Sequence, residues 1–313
     1  MKRLGVMGTM VWDTIYRWGA TQPVEEWGGV AYALAALEAS LPPEWSIVPL
    51  IKVGRDLAPQ ANTFLHRLTR RAGASRLIEV PEPNNRITLR YLTEARRAES
   101  LRGGVPGWTW AELGPMVRDL DALYINFISG REVDLPTATA LRRGFPGPIY
   151  ADLHSLFLHH APDGSLMPCG LPDAGSWFAC FDVVQLNEEE MGRLDGAAME
   201  VAARALAAGV RLLVVTVGAR GTIYFTSPTF TLPPRPAVSG PVRTARVPAP
   251  QVSEAGDPTG CGDVLGATLL ARLLAGDDLE LALTEANRLA ARNVSARGAT
   301  DLQYHLRGEL LPR

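Results

Sequence analysis

The sequence predicts an α/β fold in which a mostly parallel sheet is flanked by helices. Two observations carry this expectation. Short apolar, strand-like segments alternate with helical segments along almost the whole chain, the order that builds parallel sheets. The 313 residues, 47% hydrophobic and 20% charged, suffice for one large core. No internal repeat and no clean linker break the pattern, so residues 1–313 read as a single domain.

The elements follow in order. Leu4 to Val11 reads as the first strand and Gly29 to Leu41 as an Ala/Leu-rich helix. Ser46 to Val53 reads as a strand and Pro59 to Ala72 as a helix. Arg86 to Leu92 alternates polar and apolar residues, as a half-exposed strand does. Ala122 to Phe127, Pro148 to Asp152, Val183 to Leu186 and Leu212 to Val217 read as buried strands. Their helical partners are Leu135 to Arg143, Glu188 to Leu194 and Met199 to Ala208. Pro233 to Pro250 holds six prolines and reads as a loop or irregular edge segment. Two last helices run from about Asp263 to Ala275 and from Leu279 to Ala296.

Composition excludes several classes of partner. A net charge of −2 offers no bulk attraction for nucleic acid or an anionic membrane. No apolar run approaches the length of a membrane span, and no signal peptide is evident after Met1-Lys2-Arg3. Cys169, Cys180 and Cys261 are odd in number and lack CxxC spacing, which suits a reducing compartment better than disulfides or zinc. A cytoplasmic location is the expectation.

One segment carries chemistry. Asp257-Pro258-Thr259-Gly260-Cys261-Gly262-Asp263 immediately precedes a buried-helix pattern. A Gly-rich turn at a helix N-terminus presents unpaired N–H groups to an anion. Asp263 at that turn has two readings. It is a helix cap, or it accepts a proton from a hydroxyl that attacks a bound phosphoryl group. The sequence holds no Gly-Lys dipeptide, so a Walker A loop is excluded.

The segment closely resembles the second signature of the ribokinase family, the PfkB carbohydrate kinases, which runs Asp-Thr/Pro-Thr-Gly-Ala-Gly-Asp. Cys261 replaces the alanine. Further matches follow the family's order: Gly8 to Asp13, the Gly28-Gly29 pair, the Val53 to Asp56 turn, Asn187-Glu188-Glu189-Glu190 and Thr216 to Gly221. The Asn usually found four residues after the glycine pair is Ala33 here, which leaves the sugar undefined.

The resemblance implies a ribokinase-like sheet with a small β lid, its strands within 12–28 and 85–103. It implies transfer of the γ-phosphoryl group of ATP to a sugar, nucleoside or polyol hydroxyl. Asp263 would be the general base, and the N–H groups of Gly260, Cys261 and Gly262 the anion hole. Asp13, Gly28, Gly29 and Asp56 would bind the acceptor. Asn187, Thr216, Gly218, Gly221 and Asn287 would face the nucleotide. Glu190 would hold Mg2+ through water. Asp257, with carbonyls of the Ser295–Ala299 turn, would hold a monovalent cation such as K+. Lid residues Arg86 and Arg90 would either assist charge stabilisation or solvate the lid. Homodimerisation through the lid is left open. The alternative is a non-catalytic sugar or nucleotide sensor on the same fold.

Overall fold

The structure is a computed structural model that describes residues 1–19, 22–73, 76–93, 97–232, 240–252 and 256–309. The chain opens with β1 (Lys2–Gly8), β2 (Met10–Tyr16), β3 (Val24–Gly29) and α1 (Val30–Ser40). Then come β4 (Trp45–Gly54), α2 (Ala58–His66), β5 (Arg76–Val80), β6 (Arg86–Tyr91), β7 (Arg97–Arg102) and α3 (Trp110–Met116). The middle holds β8 (Ala122–Asn126), α4 (Leu135–Gly144), β9 (Ile149–Asp152), β10 (Leu158–His160), β11 (Leu166–Pro168) and α5 (Ala174–Phe178). There follow β12 (Val183–Asn187), α6 (Glu188–Met191), α7 (Ala198–Ala208), β13 (Leu212–Thr216), β14 (Thr222–Thr226) and β15 (Arg243–Val247). The chain closes with α8 (Cys261–Leu274), α9 (Leu279–Asn293) and α10 (Leu302–Arg307).

Nine strands form the main sheet in the order β15-β14-β13-β12-β9-β8-β1-β4-β5. All pairs from β13 to β5 are parallel, while β14 and β15 are antiparallel additions at one edge. Strand residues alternate between two cores, as the pleat requires. Ala122 and Tyr124 join the core beneath α1, α8 and α9, whereas Leu123 and Ile125 join the core beneath α3, α4 and α7. Chain order reverses between β1 and β8. Open α/β sheets form their ligand crevice at such a switch point, outside the strands' C-terminal ends.

A separate four-stranded sheet, ordered β3-β2-β6-β7, makes the lid. Its formation corrects the first strand. Main-sheet pairing of β1 stops at Gly8, and Met10 and Val11 belong to β2, which pairs with β3 and β6. Asp13 therefore sits within a lid strand and not at the end of β1. The apolar run Met7 to Val11 crosses the break with no polar residue except Thr9, so nothing local marked it.

Three other boundaries differ. The helix expected over Pro59 to Ala72 ends at His66, because Arg70 to Ala72 pair with Ile47 of β4 instead. The helix begun at Glu188 stops at Met191, with Gly192 as its cap. Within the proline-rich stretch, Arg243–Val247 is a regular edge strand, and 233–239 lies outside the described residues.

Glu38 ties α1 to the segment that follows α2. It is 1% exposed, and its carboxylate accepts from the Thr69 N–H (3.1 Å), the Thr69 hydroxyl (2.5 Å) and the Arg70 N–H (3.0 Å). Replacing it with Ala strands those donors away from water. Glu38→Ala should lower unfolding free energy by about 3–5 kcal/mol in urea titrations. A loss below about 1 kcal/mol would mean that the segment rehydrates freely.

Candidate functional site

A cleft of about 240 Å³ opens at the switch point, between the C-terminal strand ends and the lid. Val11, Ile87 and Leu89 of the lid form its apolar wall. Its floor is polar, and the polarity comes from the ends of buried strands and the first turn of α8.

Gly260 caps α8 in a left-handed conformation, φ +79°. A Cβ there would strike the ring of Tyr32, which packs on the turn from α1. Only glycine meets both conditions at no cost. The N–H groups of Gly260 and Gly262 find no acceptor among the described residues, whereas the Cys261 N–H donates to the Pro258 carbonyl at 3.1 Å. The anion hole expected of three donors thus presents two, and the Thr259 hydroxyl adds a third group. That hydroxyl is buried and partnerless among the described residues. The Cys261 side chain turns away toward α9, its Sγ donating to the Ala290 carbonyl. Burial, aided by Asp257 and Asp263, raises its thiol to about 11, against the lowering hydrogen bond from Asn293.

Two strand-end amides fix this turn. Asn126, at the end of β8, donates to Asp263 Oδ1 at 2.7 Å. Gln185 of β12 donates to the Gly262 carbonyl at 3.0 Å and to Asp152 Oδ2 at 2.9 Å, and accepts from the Tyr150 hydroxyl at 2.6 Å. Neither amide was singled out from sequence, nor was Tyr32. The available signal was a lone polar residue in an apolar strand, Ile-Asn and Val-Gln-Leu, which marks an internal tether as readily as a site.

Asp13 enters the cleft from β2 and is 3% exposed. Gly28, on β3 beside it, has no side chain because a Cβ would fall inside the Asp13 carboxylate. Gly29 also lines the cleft. Asp56 does not. It accepts the Asn84 N–H at 2.8 Å and pairs with Arg86 at 2.9 Å at the lid's base. Its carboxyl is held below the usual range, the hydrogen bonds of Asn84 and Arg86 outweighing burial. Arg90 stacks over Tyr16, 4.2 Å from the ring centre. Arg86 and Arg90 are thus both engaged by lid or lid-base residues.

Asn187 and Thr216 reach the cleft, but Gly218, Gly221 and Asn287 are not among its lining residues. Asn287 is 2% exposed and donates to Thr222 Oγ1 and the Val247 carbonyl, both at 3.1 Å, joining α9 to β14 and β15. Asn187 and Glu190 form a reciprocal capping box for α6, with bonds of 2.8 and 2.9 Å. Glu190 Oε1 also accepts from His154 Nδ1 at 2.7 Å.

Charge in the cleft is divided among these groups. Burial would depress the His154 imidazole, but Glu190, Glu99 and Asp152 raise it to about 9. Burial, with Asp263 and Glu190, pushes the Asp152 carboxyl up to about 8, despite the lowering charge of His154. Burial holds the Tyr32 phenol well above its usual range, reinforced by Asp13, Asp257, Asp263 and Glu26. At neutral pH the cleft therefore holds an imidazolium, a neutral carboxyl and a neutral phenol beside its carboxylates.

The nine-stranded sheet and its β lid define a ribokinase-like fold. The chain belongs to the pfkB family of carbohydrate kinases, whose model matches residues 138–304. A sulfate-bound, pyrophosphate-dependent kinase of the ribokinase family superposes with TM-score 0.73 at 17% identity, covering 96% of this chain and 98% of that one. Arabidopsis thaliana ribokinase, complexed with ribose and ATP, gives 0.70 at 17%, covering 97% of each chain. A Burkholderia thailandensis nucleoside kinase with inosine gives 0.71 at 16%, covering 98% of this chain and 95% of that one. At these identities the likeness is one of fold. No curated protein sequence matches the chain. Among the described residues no helix is long and apolar enough to cross a membrane.

The raised Asp152 carboxyl makes stability pH-dependent. The folded state keeps its proton up to about pH 8, whereas the unfolded chain releases it near about pH 4. The stabilisation is complete below the lower value and is lost as pH rises through the upper one. Asp152→Asn carries no such proton. The stability of the wild type relative to this variant should fall by about 1–3 kcal/mol between pH 5 and pH 9, measured by urea unfolding across pH. A constant difference would refute the assignment.

Proposed function

We propose that this protein transfers the γ-phosphoryl group of ATP to a hydroxyl of a sugar, nucleoside or related polyol. The observation that carries this reading is Asp263 in the first turn of α8. It is held by Asn126, beside two N–H groups that find no acceptor among the described residues, in a cleft that the lid's Asp13 also lines. A sensor would need the donors and the acceptor-binding carboxylate, but not a carboxylate oriented at the anion turn.

Asp263 accepts the proton of the acceptor hydroxyl as that oxygen bonds to phosphorus and the bond to the nucleotide's β-phosphate oxygen breaks. Asn126 keeps the carboxylate oriented. The Gly260 and Gly262 N–H groups, with the Thr259 hydroxyl, receive the charge of the transferring group as a preorganised anion hole. Asp13 accepts hydrogen bonds from the acceptor's other hydroxyls. Val11, Ile87 and Leu89 exclude water, a competing acceptor.

The residues present suit Mg2+ held mainly by phosphates and water. Glu190 Oε1 already accepts from His154 and Asn187, while among the described residues Oε2 takes only the Asn187 N–H. The spare capacity of Oε2 fits a water of the ion's shell. Bound there, Mg2+ supplies neutralisation of the phosphate charge.

The test is phosphotransfer across a panel of sugars, nucleosides and polyols, with ATP and with pyrophosphate as donors. Asp263→Asn should lower turnover about 10²- to 10⁴-fold while nucleotide affinity holds or improves. Turnover near that of the wild type would return Asp263 to a helix cap.

Acceptor recognition has its own test. Gly28→Ala forces the Asp13 carboxylate out of place. It should lower acceptor kcat/KM by about 10- to 100-fold and leave the KM for Mg·ATP within about twofold. Collapse of nucleotide affinity with unchanged acceptor discrimination would place the acceptor elsewhere.

A further inference from the structure

The family resemblance implies a monovalent cation between Asp257 and the carbonyls of the Ser295–Ala299 turn. The residues there do not fit one. Asp257 is 9% exposed, and its negative charge is already met by a guanidinium, beside which a second cation would be repelled. Oδ1 accepts the Thr259 N–H at 3.0 Å, and Oδ2 accepts from Arg17 Nη2 at 2.8 Å. Arg17 lies one residue beyond β2, so the charge that meets Asp257 comes from the lid.

The lid also reaches the other half of that expected site. Glu26 of β3 lies so close to Gly298 that a Cβ there would fall inside its side chain. The Thr300 hydroxyl donates to Glu26 Oε1 at 2.5 Å, and the Ala299 N–H donates to the Trp27 carbonyl at 3.3 Å. The Ala299 carbonyl accepts the Leu302 N–H at 3.3 Å.

A buried carboxylate this close to an anion-binding turn must be neutralised, or its charge opposes the phosphate. A guanidinium does this without capture from solution, and it stays charged at every accessible pH. The same ion pair orients Asp257 toward the Thr259 N–H, and so shapes the turn at Thr259 and Gly260.

We infer that Arg17 is the built-in cation of the anion turn, so that phosphotransfer by this protein requires no K+. The inference rests on the kinase reading for its activity readout. Arg17 acts through Asp257 and the turn, and is a positioning residue.

Initial rates with the best acceptor and Mg·ATP are compared in tetramethylammonium chloride and in KCl at equal ionic strength. Melting temperatures are compared in the same two salts without substrate. Wild-type rates should agree within about twofold, since only screening is shared between the salts. Arg17→Gln should lose about 10- to 100-fold of kcat/KM in tetramethylammonium and regain most of it with KCl. Its melting temperature should be lower in tetramethylammonium than in KCl. The double variant Arg17→Gln/Asp257→Asn, with no charge left to neutralise, should lose this salt response.

Wild-type rates that rise about tenfold or more with KCl would overturn the inference, as would an Arg17→Gln protein indifferent to the salt in both readouts. If Arg17→Gln does not fold, the wild-type rate comparison decides alone. If no donor and acceptor pair reacts, the kinase reading fails. The salt-dependent melting of Arg17→Gln still judges Arg17.

Discussion

Repulsion among buried carboxylates is the constraint around which this crevice is built. Asp13, Asp152, Glu190 and Asp257 are each less than a tenth exposed, and Asp263 joins them at the turn proposed to bind an anion. Unrelieved, such a set would destabilise the fold and repel a phosphate. Relief comes by different chemistry at four of these five positions. Glu190 holds His154, and Asp257 holds Arg17. Asp152 keeps its proton to about pH 8. Asp263 receives an amide N–H from Asn126. An amide N–H orients a carboxylate and leaves it able to take a proton, as the proposed role of Asp263 requires.

The supports of this arrangement lie in the sheet. Asn126, Asp152 and Gln185 end or nearly end three adjacent parallel strands, β8, β9 and β12, so the parallel register puts them side by side. Gln185 accepts from Tyr150, and the Tyr150 ring stacks on Tyr124 at 5.2 Å beneath Gly266 of α8. The helix can approach that closely because residue 266 has no side chain. The anion turn is thus pinned at its carbonyl by Gln185 and at its carboxylate by Asn126, both from a layer that cannot shift without disturbing the core.

Legibility in the sequence followed the range of the forces involved. The Gly260 turn and α8 were readable because glycine, helix start and acid lie within a few residues of one another. The buried strands were readable from apolar runs bounded by turns. The break after Gly8 was not, since pairing with β3 and β6, not local preference, moves Met10 and Val11 into the lid. The end of α2 was hidden likewise, because Arg70 to Ala72 leave helical geometry only to pair with β4. In the site, the Gly28–Asp13 contact depends on β2–β3 register, and the roles of Asn126, Gln185 and Tyr32 depend on tertiary approach. Asn287 had the composition of a ligand-facing residue, yet it spends its amide on two edge strands.

Strand β2 concentrates the consequences of register. Its inward face carries Val11, Asp13 and Ile15, which are 1%, 3% and 1% exposed. Arg17 continues the same period just past the strand end. One face of one strand therefore supplies an apolar wall, the cleft's lid-side carboxylate and the guanidinium that meets Asp257. A slip of a single residue would turn all of them outward at once. The pairing that prevents it is aromatic. Trp12 stands opposite Trp27 of β3, the rings meeting edge to face at 5.2 Å, and Trp27 is buried in the core beneath α1. Cross-strand aromatic pairs hold register by shape as well as by area. Because Trp27 is anchored, β3 cannot slide, and β2 is indexed against it. The chemistry proposed for the cleft thus depends on an indole pair on the opposite face of the lid strand from Asp13.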